Sequence, residues 1–526
     1  MTVTNSFRTR LTAAGCLLVA LAQPVGAAQV LHIGNGADPE TLDPQKAQTV
    51  PAMNIARDLF EGLTRLAPNG EPEPAAAERW EVSPDGRVYT FYLRPGLQWS
   101  NGDPLHAADF VAGLRRALEP ATASPYGPVF RVIVNGEAVL NGEFPATALG
   151  ITAPDPQQVR VQLHVPAPYL PGLMALPAAA PLHPANLQTD GAAQVSNGAY
   201  VLDEWVLQSH IRLQRNVNYR DNENTAIDTV YFHPTEDRDT ELKRYRAGEL
   251  DITYSVPQGR AAWIRRELPQ DLRLAGYLGT YYLGFQCDSG AFAGQAGLRR
   301  ALSLVIDREV LAEKVLHGLG MPAQHWIPPG VAGYQSPQSP DAGLGREARV
   351  VEARRLYAAA GYSAQRPLAF SLRYATSPDS RRLATVLAAM WKQALGVRVS
   401  LVNEENRALL SRMKRGGELQ AFLWSWIGDY NDPSTFAAVL SSDSAVNYSR
   451  WHDAEYDARL LQATNAADLA ARQQAYAQAE ARLLAEVPIA PLYFYRSRHL
   501  VQPRVAGWVD HLLDYHYSRD LSLRQP

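Results

Sequence analysis

Cysteine is almost missing from this sequence, since the 526 residues include only Cys16 and Cys287. A fold held together by several disulfides is therefore excluded. Charge of one sign is also missing, because 50 Lys and Arg face 53 Asp and Glu with both signs interspersed. We expect no global basic field that would hold nucleic acid or an anionic membrane. No long apolar run is present either: the longest, residues 11–22, is too short for a membrane-spanning helix of about 20 residues.

The common catalytic and cofactor motifs are missing as well. The sequence has no Gly-x-Ser-x-Gly, no His-Glu-x-x-His and no P-loop. Gly34-Asn35-Gly36 lacks the third glycine of a dinucleotide-binding turn, and Glu404 and Glu405 are adjacent, so they point apart. The nearest approach to a metal cluster is His511 with His516, whose spacing does not share a helix face. We expect no catalytic residues, no metal and no cofactor, although a triad built from distant segments would leave no local motif.

The first 28 residues are typical of a secretory signal peptide. Arg8 and Arg10 precede the apolar run, and small residues at 26–28 follow it. Such a segment directs export to the periplasm, and its cleavage near Ala28 would leave Cys287 as the one thiol, which we expect to be packed in a strand as a small hydrophobe. Cys16 lies before most of the apolar run, where lipidation is not expected.

The rest of the chain alternates helical and strand periods. Residues 88–93, 159–165, 281–287, 397–401 and 488–495 predict strands. Helices are predicted for residues 351–360, 383–395 and 467–486, and Leu298, Leu302, Val305, Ile306 and Val310 predict one apolar helix stripe. The mixed-sign residues 236–244 are typical of a solvated helix face. The pattern predicts an α/β fold, and the length suggests about three domains.

Residues 424–436, Trp-Ser-Trp-Ile-Gly-Asp-Tyr-Asn-Asp-Pro-Ser-Thr-Phe, begin as an aromatic strand and break into a polar turn. Asp429, Asn431 and Asp432 can bond within the turn and cap the next helix. Alternatively, one carboxylate faces a ligand cation between tryptophan walls. The local sequence leaves both interpretations open.

Several runs, in order along almost the whole chain, resemble a known family. They are residues 40–44 (Glu-Thr-Leu-Asp-Pro), 57–63, 89–110, 122–126, 197–200, 244–251 and 428–433 (Gly-Asp-Tyr-Asn-Asp-Pro). The chain is similar to the periplasmic oligopeptide-binding proteins, the large dipeptide/oligopeptide class of solute-binding proteins that serve ABC importers, with murein-peptide-binding relatives.

The resemblance implies a two-lobed α/β binding protein of the large three-domain type with a ligand cleft between its lobes. The expected boundaries are residues 1–28 for the signal peptide; 29–60, 185–278 and 497–526 for a discontinuous domain I; 61–184 for domain II; and 279–496 for domain III. The implied function is capture of a peptide, oligopeptide or murein-type, by hinge closure and delivery to a membrane permease.

The resemblance also implies ligand-binding residues. Asp429 falls where the family binds the peptide's α-ammonium group, a charge-assisted contact. Positions similar to cleft-lining ones are Val50, Tyr126, Tyr277, Tyr282, Ser425 and Trp426. Ordinary core packing is the alternative for each aromatic residue.

The chain departs from the family at the other end of the ligand. Relatives that bind free oligopeptides place basic residues where this sequence has Leu316, Ser380 and Leu423. Nearby basic residues that could substitute are His317, Arg412, Lys414 and Arg415. Some relatives join the strands near Tyr282 and Asp429 by a disulfide, and those positions here are Gly279 and Ile427.

The expected partners are a peptide ligand and an inner-membrane ABC permease with its ATPase, and the protein itself is expected to be a monomer. No nucleic acid and no direct membrane insertion are expected. Two alternatives stay open: a binding protein for another amine-bearing small solute, and a secreted peptidase or murein-modifying enzyme.

Overall fold

A computed structural model describes residues 1–2, 28–188, 195–416, 419–466 and 468–524. Cys16 and nearly all of the predicted signal peptide lie outside the described residues. Within them, no helix combines the length and the apolar character needed to cross a bilayer.

The strands, in chain order, are β1 Val30–Gly34, β2 Thr64–Leu66, β3 Pro72–Pro74, β4 Ala77–Val82, β5 Val88–Leu93, β6 Ile151–Asp155, β7 Gln158–Gln162, β8 Tyr200–Val206, β9 His210–Arg215, β10 Thr229–His233, β11 Leu272–Phe285, β12 Gly320–Pro322, β13 Ala369–Ala375, β14 Arg398–Glu404, β15 Ala421–Ile427, β16 Ile489–Leu500, β17 Val505–Ala506 and β18 Ser522–Leu523.

The helices, in chain order, are α1 Val50–Leu59, α2 Ala107–Leu118, α3 Gly136–Leu140, α4 Leu170–Leu173, α5 Arg238–Arg246, α6 Ala261–Glu267, α7 Ala296–Leu304, α8 Arg308–Val310, α9 Arg346–Ala359, α10 Pro378–Leu395, α11 Asn406–Arg415, α12 Ser434–Ala437, α13 Ala454–Asn465 and α14 Leu469–Glu486.

Three larger sheets, beside the two-stranded pairs β2-β3 and β17-β18, organise the described elements. One has the order β1-β10-β9-β8, a second β4-β5-β7-β6, and the largest β12-β16-β11-β15-β13-β14. Helices α7, α9 and α10 and the largest sheet share one apolar core, in which Leu302, Tyr357, Leu372 and Trp391 are buried. The α/β prediction is confirmed.

Strands β11 and β16 run antiparallel through the middle of the largest sheet. Leu272 pairs with Leu500 at one end and Gly284 with Ile489 at the other. Their register shifts twice, after Gly276 and after Tyr281, so the pair is bulged where it passes the tyrosine-rich stretch.

Strands and helices were predicted correctly where the spacing of apolar residues follows one period without a break. The 88–93 strand is β5, and α10 ends where Gly396 adopts φ +75°, a conformation that glycine reaches without strain. The single stripe from Leu298 to Val310 was wrong, because α7 ends at Leu304 and a new helix begins at Arg308. The side chain of Asp307 caps that second helix by accepting a bond from Val310 N.

The mixed-charge segment at 236–244 was only partly predicted. It forms helix α5, but Glu241 is fully buried rather than solvated. Its carboxylate accepts the backbone N–H of Tyr254 at 2.8 Å, so it fixes the chain that follows the helix.

Segments from both chain ends meet in the sheet that contains β1. Strand β1 pairs in parallel with β10, and the Leu523 N–H donates to Gln29 Oε1 at 2.7 Å. Glu61 accepts from Arg220 and Arg519, so residues far apart in the chain share one buried ion-pair network. The domain boundaries given above remain a prediction.

Candidate functional site

The loop after β15 contains three polar residues with different environments. Asp432 binds Arg472 through two bonds, of 2.7 and 2.8 Å, and also accepts from Ser434 N at 2.9 Å. The Asp432 and Arg472 side chains are 9% and 2% exposed. For Asp432 the turn-and-cap interpretation is therefore correct, and its charge is neutralised inside the protein.

Asn431 holds segments from three parts of the chain together. Its amide nitrogen donates to Asn69 O at 2.9 Å, and its amide oxygen accepts from Ala332 N at 3.0 Å. Next to it, the ring of Tyr430 stacks on Tyr169 at 4.7 Å between ring centroids. The loop thus connects residues of the predicted domains II and III.

Asp429 is different. Its backbone N–H donates to Thr435 Oγ1 at 3.1 Å, but its half-buried carboxylate accepts no hydrogen bond and forms no ion pair with any described residue. Burial raises the pKa of Asp429 to about 6. A partly desolvated carboxylate without a partner is suited to meeting a cation.

Tyr126 lies beside Asp429. Burial first, and then the Asp429 charge, raises the pKa of the Tyr126 hydroxyl. Its ring packs against Ala52 and Met53 of helix α1. Val50 is on the same face of that helix, one turn before Met53, and is 43% exposed. Of the predicted residues, Tyr126 therefore borders the region around Asp429, and Val50 lies on the helix against which Tyr126 packs.

Arg57, on the same face of α1, was missed by the sequence analysis. Its guanidinium lies 3.4 Å from the centre of the Tyr515 ring, and its charge acts on both Tyr126 and Tyr277. The sequence did offer a signal, since residues 50, 53 and 57 recur at helical spacing.

One face of the largest sheet is rich in tyrosine. Tyr281 stacks on Tyr493 at 5.0 Å, and Tyr495 contacts Tyr277 and Tyr281 edge-on at 6.3 and 6.2 Å. We call Tyr277, Tyr281, Tyr493 and Tyr495 the tyrosine face. Ser425 belongs to it, because its pairing partner across the ladder is Tyr281.

Tyr282 and Trp426 lie on the opposite face. Tyr282 is 2% exposed and packs edge-on against Trp326 and Phe422 in the core. Trp426 is half-buried beside that core, and its indole nitrogen has no hydrogen-bond partner in the part of the chain described. Tyr277 and Tyr282 are an odd number of residues apart in β11. Because successive side chains of a strand point to opposite faces of the sheet, the two rings are expected on opposite faces.

Two of the three positions expected to match basic residues of relatives are in the core. Leu316 and Leu423 are 4% and 1% exposed, and Ser380 donates nothing to a charged group but lies beside the Tyr281 hydroxyl. Of the proposed substitutes, Arg412 bonds Glu404, Arg415 bonds Ser411, and Lys414 is exposed. His317 lies in a turn with φ +53°.

Gly279 and Ile427 are directly opposite each other in the β11–β15 ladder. A Cβ on Gly279 would lie 3.2 Å from Ile427 Cγ1 and 2.8 Å from the Tyr495 ring. The Tyr495 ring therefore occupies part of the space that a side chain at position 279 would need. Cys287 is half-buried and free, and burial raises its pKa to about 11. It is an unreactive thiol.

One group of possible metal ligands occurs among the described residues: His499, Asp514 and His516, with ligand atoms within 4.8 Å of one another. His511, which with His516 was the nearest approach to a metal cluster in the sequence, is not part of this group. His499 Nδ1 is 2.8 Å from Thr253 O and its Nε2 is 2.9 Å from Asp514 Oδ1. Because both partners are acceptors, the ring carries two protons; burial opposes that charge, but Asp514 outweighs it and the pKa of His499 is raised.

Comparison with known proteins decides the family. Residues 71–448 match the model described as bacterial extracellular solute-binding proteins, family 5 Middle. The chain belongs to this family. It is 37% identical to the probable deoxycholate-binding periplasmic protein YgiS of Escherichia coli over 95% of each chain. It is 36% identical to the periplasmic murein peptide-binding protein MppA of the same organism, covering 94% of this chain and 92% of the relative.

Solved structures of family 5 proteins have the same fold. The Escherichia coli murein tripeptide binding protein MppA superposes with a TM-score of 0.83 at 35% identity, covering 94% of this chain and 99% of the other. Haemophilus influenzae OppA in complex with RPPGFSPFR gives 0.79 at 33% identity, with coverages of 94% and 99%. The predicted family and fold class are confirmed, and the family is one of solute-binding proteins.

Proposed function

We propose that this family 5 protein is the periplasmic peptide-binding component of an ABC importer, with Asp429 binding the α-ammonium group of the peptide. Relatives such as YgiS and MppA are periplasmic proteins, which supports export, and residues 1–28 would act as the cleaved signal peptide. The captured ligand would pass to an inner-membrane permease and its ATPase, and the protein would work as a monomer. We propose binding without turnover of the ligand.

The observation that carries this proposal is the contrast within the loop after β15. Asp432 and Asn431 are bonded to the protein, whereas the Asp429 carboxylate has no partner among the described residues. A primary ammonium group has three donors and a full charge, which matches a carboxylate with free lone pairs. Such a contact contributes about 1.5–3 kcal/mol.

The ligand contacts follow from this position. Tyr126 and Val50 would border the amine end, and Tyr277 and Ser425 would extend the surface along the tyrosine face. Trp426 would contribute its unpaired indole nitrogen. Tyr282, packed in the core, would support the strand without touching the ligand. Peptide main chain adjacent to strand ends can pair with backbone groups whatever its side chains are.

The proposed cleft would close between the predicted domains II and III. The Tyr169–Tyr430 stack and the Asn431 bonds join these two parts beside Asp429. Closing there would desolvate Asp429 and the bound ammonium group together, which strengthens their attraction. The bond between Leu523 and Gln29 supports a domain I assembled from distant segments. Arg220 and Arg519, from two of those segments, both bind Glu61 at the start of the predicted domain II.

The test is a thermal-shift and calorimetric comparison of free tripeptides with the same peptides N-acetylated. Free tripeptides should raise the melting temperature, and N-acetylated ones should raise it far less. Equal shifts would contradict the role of Asp429. Mass spectrometry of the incubated peptides should show them intact, since cleavage would favour the peptidase alternative. Binding of simple amines with the same affinity as peptides would favour the amine-solute alternative.

A further inference from the structure

A second unmatched charge lies at the seam between residues 253–258 and the largest sheet. Arg498, near the end of β16, is half-buried, and its Nε donates to Ser255 Oγ at 3.2 Å. No carboxylate of the described chain comes within ion-pair distance of its guanidinium. Burial lowers the pKa of Arg498, although Tyr493, Tyr495 and Asp379 act in the other direction.

A second arginine faces the same place. Arg238, the first residue of α5, repels Arg498 electrostatically and lies 4.4 Å from the Tyr254 ring. Its buried Nη1 makes no hydrogen bond with the described residues. The nearest carboxylate oxygen, Glu241 Oε2, is 3.7 Å from it, but that carboxylate already accepts from Tyr254 N and Ser255 N.

Asp379, an acid whose charge acts on Arg498, is engaged elsewhere. Asp379 Oδ1 accepts from Arg382 at 2.9 Å, and the amide nitrogen of Gln258, once turned toward it, is within 2.9 Å of both carboxylate oxygens. Arg498 and Arg238 thus share a partly buried position with one carboxylate, Glu241, which forms a long ion pair with Arg238 and also accepts two backbone bonds. The like charges cost free energy that a bound anion would offset.

The location relates this pair to the tyrosine face. Arg498 lies near Tyr493 and Tyr495, since its charge lowers the pKa of both hydroxyls against the larger effect of burial. Ser380, next to Asp379, lies beside the Tyr281 hydroxyl. Leu316 lies against Tyr493, because both flank Gly320, where a Cβ would be 2.8 Å from Leu316 Cδ1 and 3.1 Å from the Tyr493 ring. Around this end of the face, Leu316, Ser380 and Leu423 supply no charge.

We propose that Arg498 and Arg238 form an anion-binding subsite that takes the carboxylate of the ligand, opposite in charge to Asp429. Guanidinium groups suit this task because their planar donors match the two oxygens of a carboxylate. The inference rests on the proposed function for its peptide ligand. The same chemistry would also hold the carboxylate of an amphipathic acid such as deoxycholate, the ligand named for YgiS.

The experiment measures affinity by calorimetry for a tripeptide, its C-terminal amide, deoxycholate and the uncharged amide of deoxycholate. Variants are Arg498→Gln, Arg498→Lys and, as a matched control on the same strand, Arg496→Gln, whose side chain bonds Gly318 O. Melting temperatures show that each variant is folded. The ligand comparison in the unaltered protein needs no variant at all.

Amidation of the tripeptide should weaken binding at least tenfold in the unaltered protein and less than twofold in Arg498→Gln. Arg498→Lys should keep part of the difference, and Arg496→Gln all of it. An amidation effect that is absent, or unchanged in Arg498→Gln, would overturn the subsite while leaving the N-acetylation test of the proposed function intact. Binding of deoxycholate alone, dependent on Arg498, would support the subsite and overturn the peptide proposal. Indifference to every carboxylate would overturn the inference.

Discussion

Asp429 and Asp432 are two carboxylates in the same loop with opposite surroundings. Asp432 is paired through two bonds with the buried Arg472, whereas Asp429, three residues earlier, has no side-chain partner in the described structure. The two residues have the same side chain and nearly the same position in the sequence. Asp432 nevertheless stabilises the fold, whereas the Asp429 carboxylate remains available to a ligand. The difference shows that the partner on the facing helix, and not the loop sequence, decides the role of an acid.

The largest expected effect on ligand binding comes from Asp429→Ala. We expect the affinity for a free tripeptide to fall by about 3–5 kcal/mol, because the buried ammonium group would lose its counter-charge. The free energy of unfolding should not fall, since the carboxylate bonds none of the described residues. Titration calorimetry and urea unfolding measure the two quantities. An affinity change below about tenfold, roughly 1.4 kcal/mol, would contradict the assignment.

Asp432→Ala should lower the stability of the protein about as much as Asp429→Ala lowers its affinity for the peptide. We expect the free energy of unfolding to fall by about 3–5 kcal/mol, because Arg472 would remain buried without a partner. Tripeptide affinity, measured on the folded fraction, should change less than threefold. Pairing the substitution with Arg472→Met should recover much of the stability. If Asp432→Ala instead abolished binding at full stability, the contrast between the two acids would be reversed.

The affinity lost on blocking the amino end of the ligand should differ, by a smaller amount, from that lost on blocking its carboxyl end. N-acetylation removes the charge that meets Asp429, whose carboxylate has no other partner among the described residues. Amidation removes a charge held near Arg498, which also donates to Ser255, while Leu316, Ser380 and Leu423 add no charge. We therefore expect N-acetylation to weaken binding more than amidation. Matched tripeptides in one calorimetric series measure the ranking, and a larger penalty for amidation would place the stronger site at Arg498.

Much of the fold was predictable because it depends on local patterns. Apolar and polar residues alternate in residues 88–93, which identifies a strand. The change from Leu395 to Gly396 and Val397 identifies the end of a helix. Both signals follow from the local geometry of the backbone. Alternation could also have separated Tyr277 from Tyr282. The break after Leu304 was not predicted, because the apolar spacing continues past it and only the cap at Asp307 marks the new helix.

The site was predictable only where resemblance supplied a position. Asp429 was singled out in that way, but its difference from Asp432 depends on Arg472, 40 residues further along the chain. Arg498 could not be found from local sequence, because Ser255, Arg238 and Asp379 come from three separate segments. Contacts of that kind exist only after the chain has folded.

The smallest predicted effect is the pH dependence of peptide affinity. Burial raises the pKa of Asp429 to about 6, so the folded protein holds this proton more tightly than the unfolded chain does. This group's contribution to stability therefore falls as the pH rises from about 4 to about 6. Ligand affinity should change in the opposite direction, because the ammonium group binds the ionised form. Affinity should be constant between about pH 6 and the α-amino pKa near 8.

Below about pH 6 the affinity should fall up to tenfold for each pH unit, about 1.4 kcal/mol. Asp432 is the residue for comparison, because its carboxylate is bonded to Arg472 and is not expected to bind the ligand. Calorimetry from pH 5 to 7.5 on the unaltered protein and on Asp429→Asn measures the dependence. The variant should bind weakly and equally at every pH. A slope that persisted in Asp429→Asn would assign the titrating group to another residue and remove the distinction between the two acids.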